Sequence, residues 1–160
     1  MKKSALKKYA NLIAVAGVNI QKGQEVFIAA SLDQPEFVKI LVEECYKTGA
    51  KKVVVDWSYQ PLRKVHTRYR SLKTLSVVEN YEEARLQHYV DVLPCRIYLE
   101  SDDPDGLQGM NQKKYAKAMQ ARYPIQKKYR DRLGLFLIEG ENLLEEAAKA
   151  KEEGLIRHIS

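Results

Sequence analysis

Glu25-Val26-Phe27-Ile28-Ala29-Ala30-Ser31, followed by an amphipathic segment from Gln34 to Thr48 and then Gly49-Ala50-Lys51-Lys52-Val53-Val54-Val55-Asp56-Trp57, is the stretch that decides the fold. The two apolar runs are short, rich in β-branched residues and do not alternate cleanly. That pattern suits strands buried on both faces of a parallel sheet. Between them Phe37, Ile40, Leu41 and Cys45 recur at helical spacing, and Val38 and Val42 widen the stripe. Asp33 stands at the expected N-cap, just ahead of Pro35 and Glu36. Gly49 stands where the helix stops. Strand, helix, strand at this length is a parallel crossover unit, almost always right-handed.

The same pattern continues outward. Ser4 is placed to cap a first helix with Leu6, Tyr9, Ala10, Ile13 and Ala14 on its apolar face, ended by Gly17. Gln60-Pro61 opens a helix carrying Leu62, Val65 and Tyr69, and residues 71–92 read as mostly helical up to Pro94. Cys95 to Glu100 is a third strand. Asp102-Asp103-Pro104-Asp105-Gly106 is a turn. Asn111 is placed to cap a helix from Lys113 that Pro124 interrupts or kinks before it resumes to Arg132. Leu135-Phe136-Leu137-Ile138 reads as a fourth strand, Glu141 to Glu153 as a helix and Leu155 to Ile159 as a short last strand. The alternation predicts a single three-layer α/β domain over residues 1–160, a mostly parallel open sheet of about four or five strands with helices on both faces.

Composition agrees with that class. The 160 residues are 45% hydrophobic and 30% charged, enough for one domain with a real core. No apolar run approaches the roughly 18 residues of a membrane span, and the lysines and asparagine that break the first residues argue against a signal peptide. Cys45 and Cys95 lie in apolar elements and read as buried free thiols, which points to the cytoplasm.

The inventory of reactive groups is thin. His66, His88 and His158 share no metal-ligand spacing, and there is no Cys-x-x-Cys. The glycines form no phosphate loop or dinucleotide fingerprint. Asp102, Asp103 and Asp105 lack the spacing of a calcium loop and read as turn residues. Asp56 stands where ligands meet open α/β sheets, near the carboxyl end of a strand. The net charge is +6, and its cations cluster. Arg63, Lys64, Arg68, Arg70 and Lys73 surround Tyr69. A second set runs from Lys113, Lys114 and Lys117 through Arg122, Lys127, Lys128, Arg130 and Arg132, interleaved with Tyr115, Tyr123 and Tyr129. Such sets either neutralise phosphates and stack bases or form a solvated helix face whose tyrosines pack inward. The candidates for phosphate contact are Arg63, Lys64, Arg68, Lys113, Lys117, Lys127, Lys128 and Arg130.

The wording of two stretches adds to this. Leu6-Lys7-Lys8-Tyr9-Ala10-Asn11-Leu12-Ile13 with Gly17-Val18-Asn19-Ile20-Gln21-Lys22-Gly23-Gln24, then Val42 to Val55, Ser101 to Asp105 and Leu107-Gln108-Gly109, resembles the start of the thermophilic-type metallo-aminopeptidases, the aminopeptidase T and S group, over residues 5–130. The resemblance implies an N-terminal α/β domain. In that family two divalent metals, cobalt or zinc, and the catalytic residues belong to a larger C-terminal domain, so it implies no catalytic, cofactor or metal residue in this chain. The expected partners are that catalytic domain and a second copy in a homodimer. Residues 131–160 form a strand–helix–strand tail of different character. Arg132 to Ala147 resembles the opening of SPOUT-class RNA ribose methyltransferases, which implies a substrate-binding module without S-adenosylmethionine and makes RNA a second candidate partner. The leading expectation is a non-catalytic domain of a metallo-aminopeptidase-like protein; the alternatives are an RNA-binding module or a fused or designed fold without natural activity.

Overall fold

The structure, a computed structural model, describes residues 3–133. Helix α1 (Lys3–Leu12) passes into a π-helical segment (Ile13–Gly17) and then strand β1 (Glu25–Ser31), helix α2 (Pro35–Thr48), strand β2 (Lys52–Ser58), helices α3 (Gln60–Tyr69), α4 (Leu72–Ser76) and α5 (Asn80–Val92), strand β3 (Cys95–Leu99) and helix α6 (Gln112–Leu133). The fourth and fifth strands, the helix from Glu141 and most of the methyltransferase-like stretch lie outside the described residues.

The three strands are parallel in the order β2-β1-β3. Being central, β1 is buried on both sides. Val26, Ile28 and Ala30 share one core with Ala10 of α1, Ala14 of the π-helical segment and Phe37, Val38, Leu41 and Cys45 of α2, and Ile97 of β3 joins them. This explains the apolar stripe of α2, since each of its core positions meets that face. The other side of β1 carries Phe27, which meets the Tyr89 ring of α5 edge-on at 4.6 Å. Helices α4 and α5 in turn pack against α6, where Ala118 and Tyr129 are buried. Helices therefore cover both faces of an open parallel sheet.

Several local expectations need correction. Among the described residues β2 is an edge strand, and Val53, Val54 and Val55 are only half-buried. The connection through α3–α5 carries the chain past β1 to its far side, which leaves β2 outermost. Ser4 lies inside α1, which already includes Lys3, and so does not cap it. The cap position of α2 is Gln34, without a side-chain bond, because the Asp33 carboxylate instead accepts from Ser101 Oγ at 2.6 Å. Residues 71–92 form two helices, α4 capped by Ser71 Oγ and α5 opened by a capping box of Glu79 and Glu82. Helix α6 runs through Pro124 without a break. Gly49 ends α2 as expected, with φ at +118°, and an added Cβ would lie 3.3 Å from the Lys22 backbone.

Candidate functional site

In a parallel sheet of order β2-β1-β3 the connections diverge between β1 and β3, and ligands of open α/β folds gather outside the carboxyl ends at such a point. Here that crevice is bridged by protein. Ser101 Oγ donates to Asp33, and Ser101 N–H reaches Ser31 Oγ at 3.4 Å. Beside it Gln60 ties the next loop, accepting from Asp103 N–H at 3.0 Å and donating to Asp103 C=O at 2.8 Å. Asp103 Oδ1 accepts from Asp105 N–H, and Asp102 pairs with Arg63 at 3.5 Å. The aspartates are thus engaged as turn and ion-pair groups. Asp56 does not reach the crevice; it lies within β2 and receives Arg85 of α5 at 2.5 Å.

At the opposite end of the sheet, Glu25 is nearly buried and meets His88 Nε2 at 2.8 Å, with Lys51 at 3.9 Å. The hydrogen bond from His88 holds the Glu25 carboxyl below the usual carboxylate range, overcoming the opposing effect of burial, and Lys52 and Lys51 add to it. A carboxyl whose folded value is depressed stabilises the fold above its unfolded value and loses that contribution as pH falls through the folded one. The window therefore lies below 4.5. Urea midpoints measured from about pH 6 down to about pH 3 should fall more steeply for the wild type than for Glu25→Gln; parallel acid limbs would remove this pair from the account.

Among the described residues no three His, Cys, Asp or Glu side chains converge as a metal centre requires. His66 is exposed on α3, and His158 lies outside the described residues. The donors among the described residues therefore do not fit a paired-metal site. Cys45 is a buried free thiol, pushed up to about 11 chiefly by burial; Cys95 is half-buried and donates to Val18 C=O and to Gln24 Oε1. Neither has the lowered value of a reactive thiol.

The basic candidates separate into two groups. Lys127 pairs with Asp131 at 2.5 Å, and Lys128 reaches Glu83 at 3.7 Å. Arg130 donates to Tyr123 Oη at 2.9 Å and lies over its ring. Tyr129 is buried and donates to Glu83 at 2.8 Å, so it packs inward and offers no stacking face, whereas Tyr69 is exposed. Arg63 is held by Asp102, and Lys113 and Lys117 stand exposed on α6. Lys64 and Arg68, by contrast, share one face of α3 and line a cavity of about 210 Å³ with Lys114 of α6 and the loop Gly109-Met110-Asn111. The spacing of Lys64 and Arg68 is visible in the sequence. That Lys114 joins them is not, because the contact lies between separate helices.

No helix among the described residues is long and apolar enough to cross a membrane. The profile of the thermophilic metalloprotease (M29) family matches residues 2–137. Aminopeptidase PepS of Streptococcus thermophilus is 30% identical over 128 residues, which are 78% of this chain and 31% of PepS. Aminopeptidase AmpS of Bacillus subtilis is 31% identical over 116 residues, 72% of this chain and 28% of AmpS. The solved structure of wild-type AmpT from Thermus thermophilus superposes with a TM-score of 0.72 at 25% identity, covering 82% of this chain and 33% of AmpT. The chain thus spans about a third or less of the length of each of these relatives.

Proposed function

Because the chain belongs to the thermophilic metalloprotease (M29) family, we propose that it serves as the N-terminal α/β domain of a metallo-aminopeptidase, with a structural or substrate-gating role and no hydrolysis of its own. The observation that carries this reading is the match to under a third of PepS and AmpS, over a segment whose described residues bring no metal donor set together. In this proposal two divalent metals and the catalytic groups are contributed by a separate catalytic domain, the principal partner, with a homodimer as the further assembly. The cytoplasm, where the thiols of Cys45 and Cys95 stay reduced, is the compartment we infer.

Paired-metal hydrolysis needs several convergent carboxylate and imidazole ligands. The chain is therefore expected to give no turnover of leucine anilides with added cobalt or zinc. Turnover that scales with protein concentration and disappears with a chelator would sink the reading. An RNA-binding module, suggested by the methyltransferase-like residues 132–147, needs phosphate contacts along the second basic set. Lys127 and Lys128 already have carboxylate partners there, which favours the aminopeptidase reading.

A further inference from the structure

We propose that the pocket between α3 and the start of α6 binds a phosphate-type oxyanion, either free phosphate or the monoester group of a small metabolite. Lys64 and Arg68 stand four residues apart on α3, a spacing at which like charges repel. Lys114 brings a third positive charge to the same cavity of about 210 Å³. Among the described residues these three cations form no ion pair, although the neighbouring Arg63 reaches Asp102 at 3.5 Å. No carboxylate lines the cavity to offset them.

The rest of the wall suits the same ligand. Met110 is buried, and so is Thr67, whose hydroxyl donates to Arg63 C=O at 2.7 Å. Both are buried residues of the cavity wall, and a cleft lined by one sign of charge raises the local concentration of the opposite ion. Asn111 spends its carboxamide oxygen on Lys114 N–H at 2.9 Å, which leaves the amide nitrogen as a donor. Gly109 has φ at +75°, and a Cβ there would sit 3.9 Å from Lys64 Nζ, so the loop backbone runs close beside that ammonium. Lysine and arginine donors around an acid-free cavity are what a multiply charged oxyanion requires.

A single oxyanion fits better than a nucleic-acid strand. No aromatic ring lines the cavity to stack a base. Beyond the exposed Lys117 the cations of α6 do not continue as a free track, since Arg122, Lys127 and Lys128 are paired with Glu82, Asp131 and Glu83.

The test is a titration of the intact, isotope-labelled chain with sodium phosphate at constant ionic strength, followed by amide chemical shifts, with sodium chloride as control. Saturable shifts are expected, concentrated at residues 64–68 and 109–114. In Lys64→Met/Lys114→Met affinity should fall about ten-fold or more, the loss of two charge-assisted contacts, while Lys127→Met should bind as wild type. Glycerol phosphate binding more tightly than inorganic phosphate would identify a small monoester as the ligand; the reverse would identify free phosphate. Shifts that track chloride without saturating would overturn the proposal, as would equal binding by the double variant. Tight binding of a single-stranded RNA weakened alike by Lys64→Met and Lys127→Met would overturn it in favour of a nucleic-acid surface.

Discussion

Ile28→Asp is expected to abolish cooperative unfolding, whereas Val54→Asp should leave a folded protein with a lowered urea midpoint. Ile28 is fully buried at the centre of β1, facing α1 and α2 within a cluster of apolar side chains. A carboxyl buried there without a partner costs several kcal/mol, roughly 2–7 for a polar group even before charge is counted. That rivals a total stability of about 5–15 kcal/mol. Val54 is half-buried in the edge strand, and its substitution should cost about 1–2 kcal/mol. Ile28→Val, at about 0.5–1.5 kcal/mol, controls for position. Far-ultraviolet circular dichroism through a urea titration reads all three. Equal behaviour of the two aspartate variants would mean that β1 is not the buried middle strand.

Arg122→Ala should cost about 2 kcal/mol, because one side chain fastens α6 both to α5 and to the link that precedes it. Its guanidinium donates to Val77 C=O, in the link between α4 and α5, and to Glu82 Oε1 at 2.5 Å. The pair is mostly shielded, at 14% and 23% side-chain exposure, so solvent screens it less than a surface bridge. Burial pushes the Glu82 carboxyl up, but the Glu79 backbone N–H and Arg122 more than offset this and hold it below the usual range. Removing Arg122 leaves Glu82 half-satisfied, still accepting from Glu79 N–H at 2.9 Å. A double-mutant cycle with Glu82→Gln should recover a coupling of about 1 kcal/mol or more. A loss below about 0.5 kcal/mol for Arg122→Ala would place it with ordinary surface substitutions.

The β1–α2–β2 unit was legible because its signals are local: β-branched runs at both ends, a helical apolar stripe and a glycine stop. Which strand lies in the middle was not. Val53-Val54-Val55 is at least as apolar as the run in β1, yet it sits at an edge, because strand order follows from where the α3–α5 connection travels. Asp33 looked like a cap until Ser101, distant in sequence, claimed its carboxylate. Pro124 predicted a break, but Ala118 and Tyr129 anchor α6 on both sides of it, and tertiary packing tolerates the missing hydrogen bond. The basic residues announced themselves by composition. The Lys127–Asp131 pair follows from its four-residue spacing on α6, but the rest of the division into ion-paired and pocket-lining groups depends on acids contributed by other elements, such as Glu83 on α5 for Lys128 and Asp102 for Arg63.

The central place of β1 also orders events in time. Its partner β2 follows after one helix, while β3 pairs with it, Val26 against Cys95, only after a chain separation roughly two and a half times as long, which adds about 0.8 kcal/mol of closure entropy. A chain emerging from a ribosome therefore has Val26 and Ile28 within reach of α2 early in its synthesis. Phe27, on the reverse side of the same strand, waits for Tyr89. Through that interval the nascent sheet has one covered side and one bare apolar side, and the bare one is what a chaperone, or another unfinished chain, would meet first.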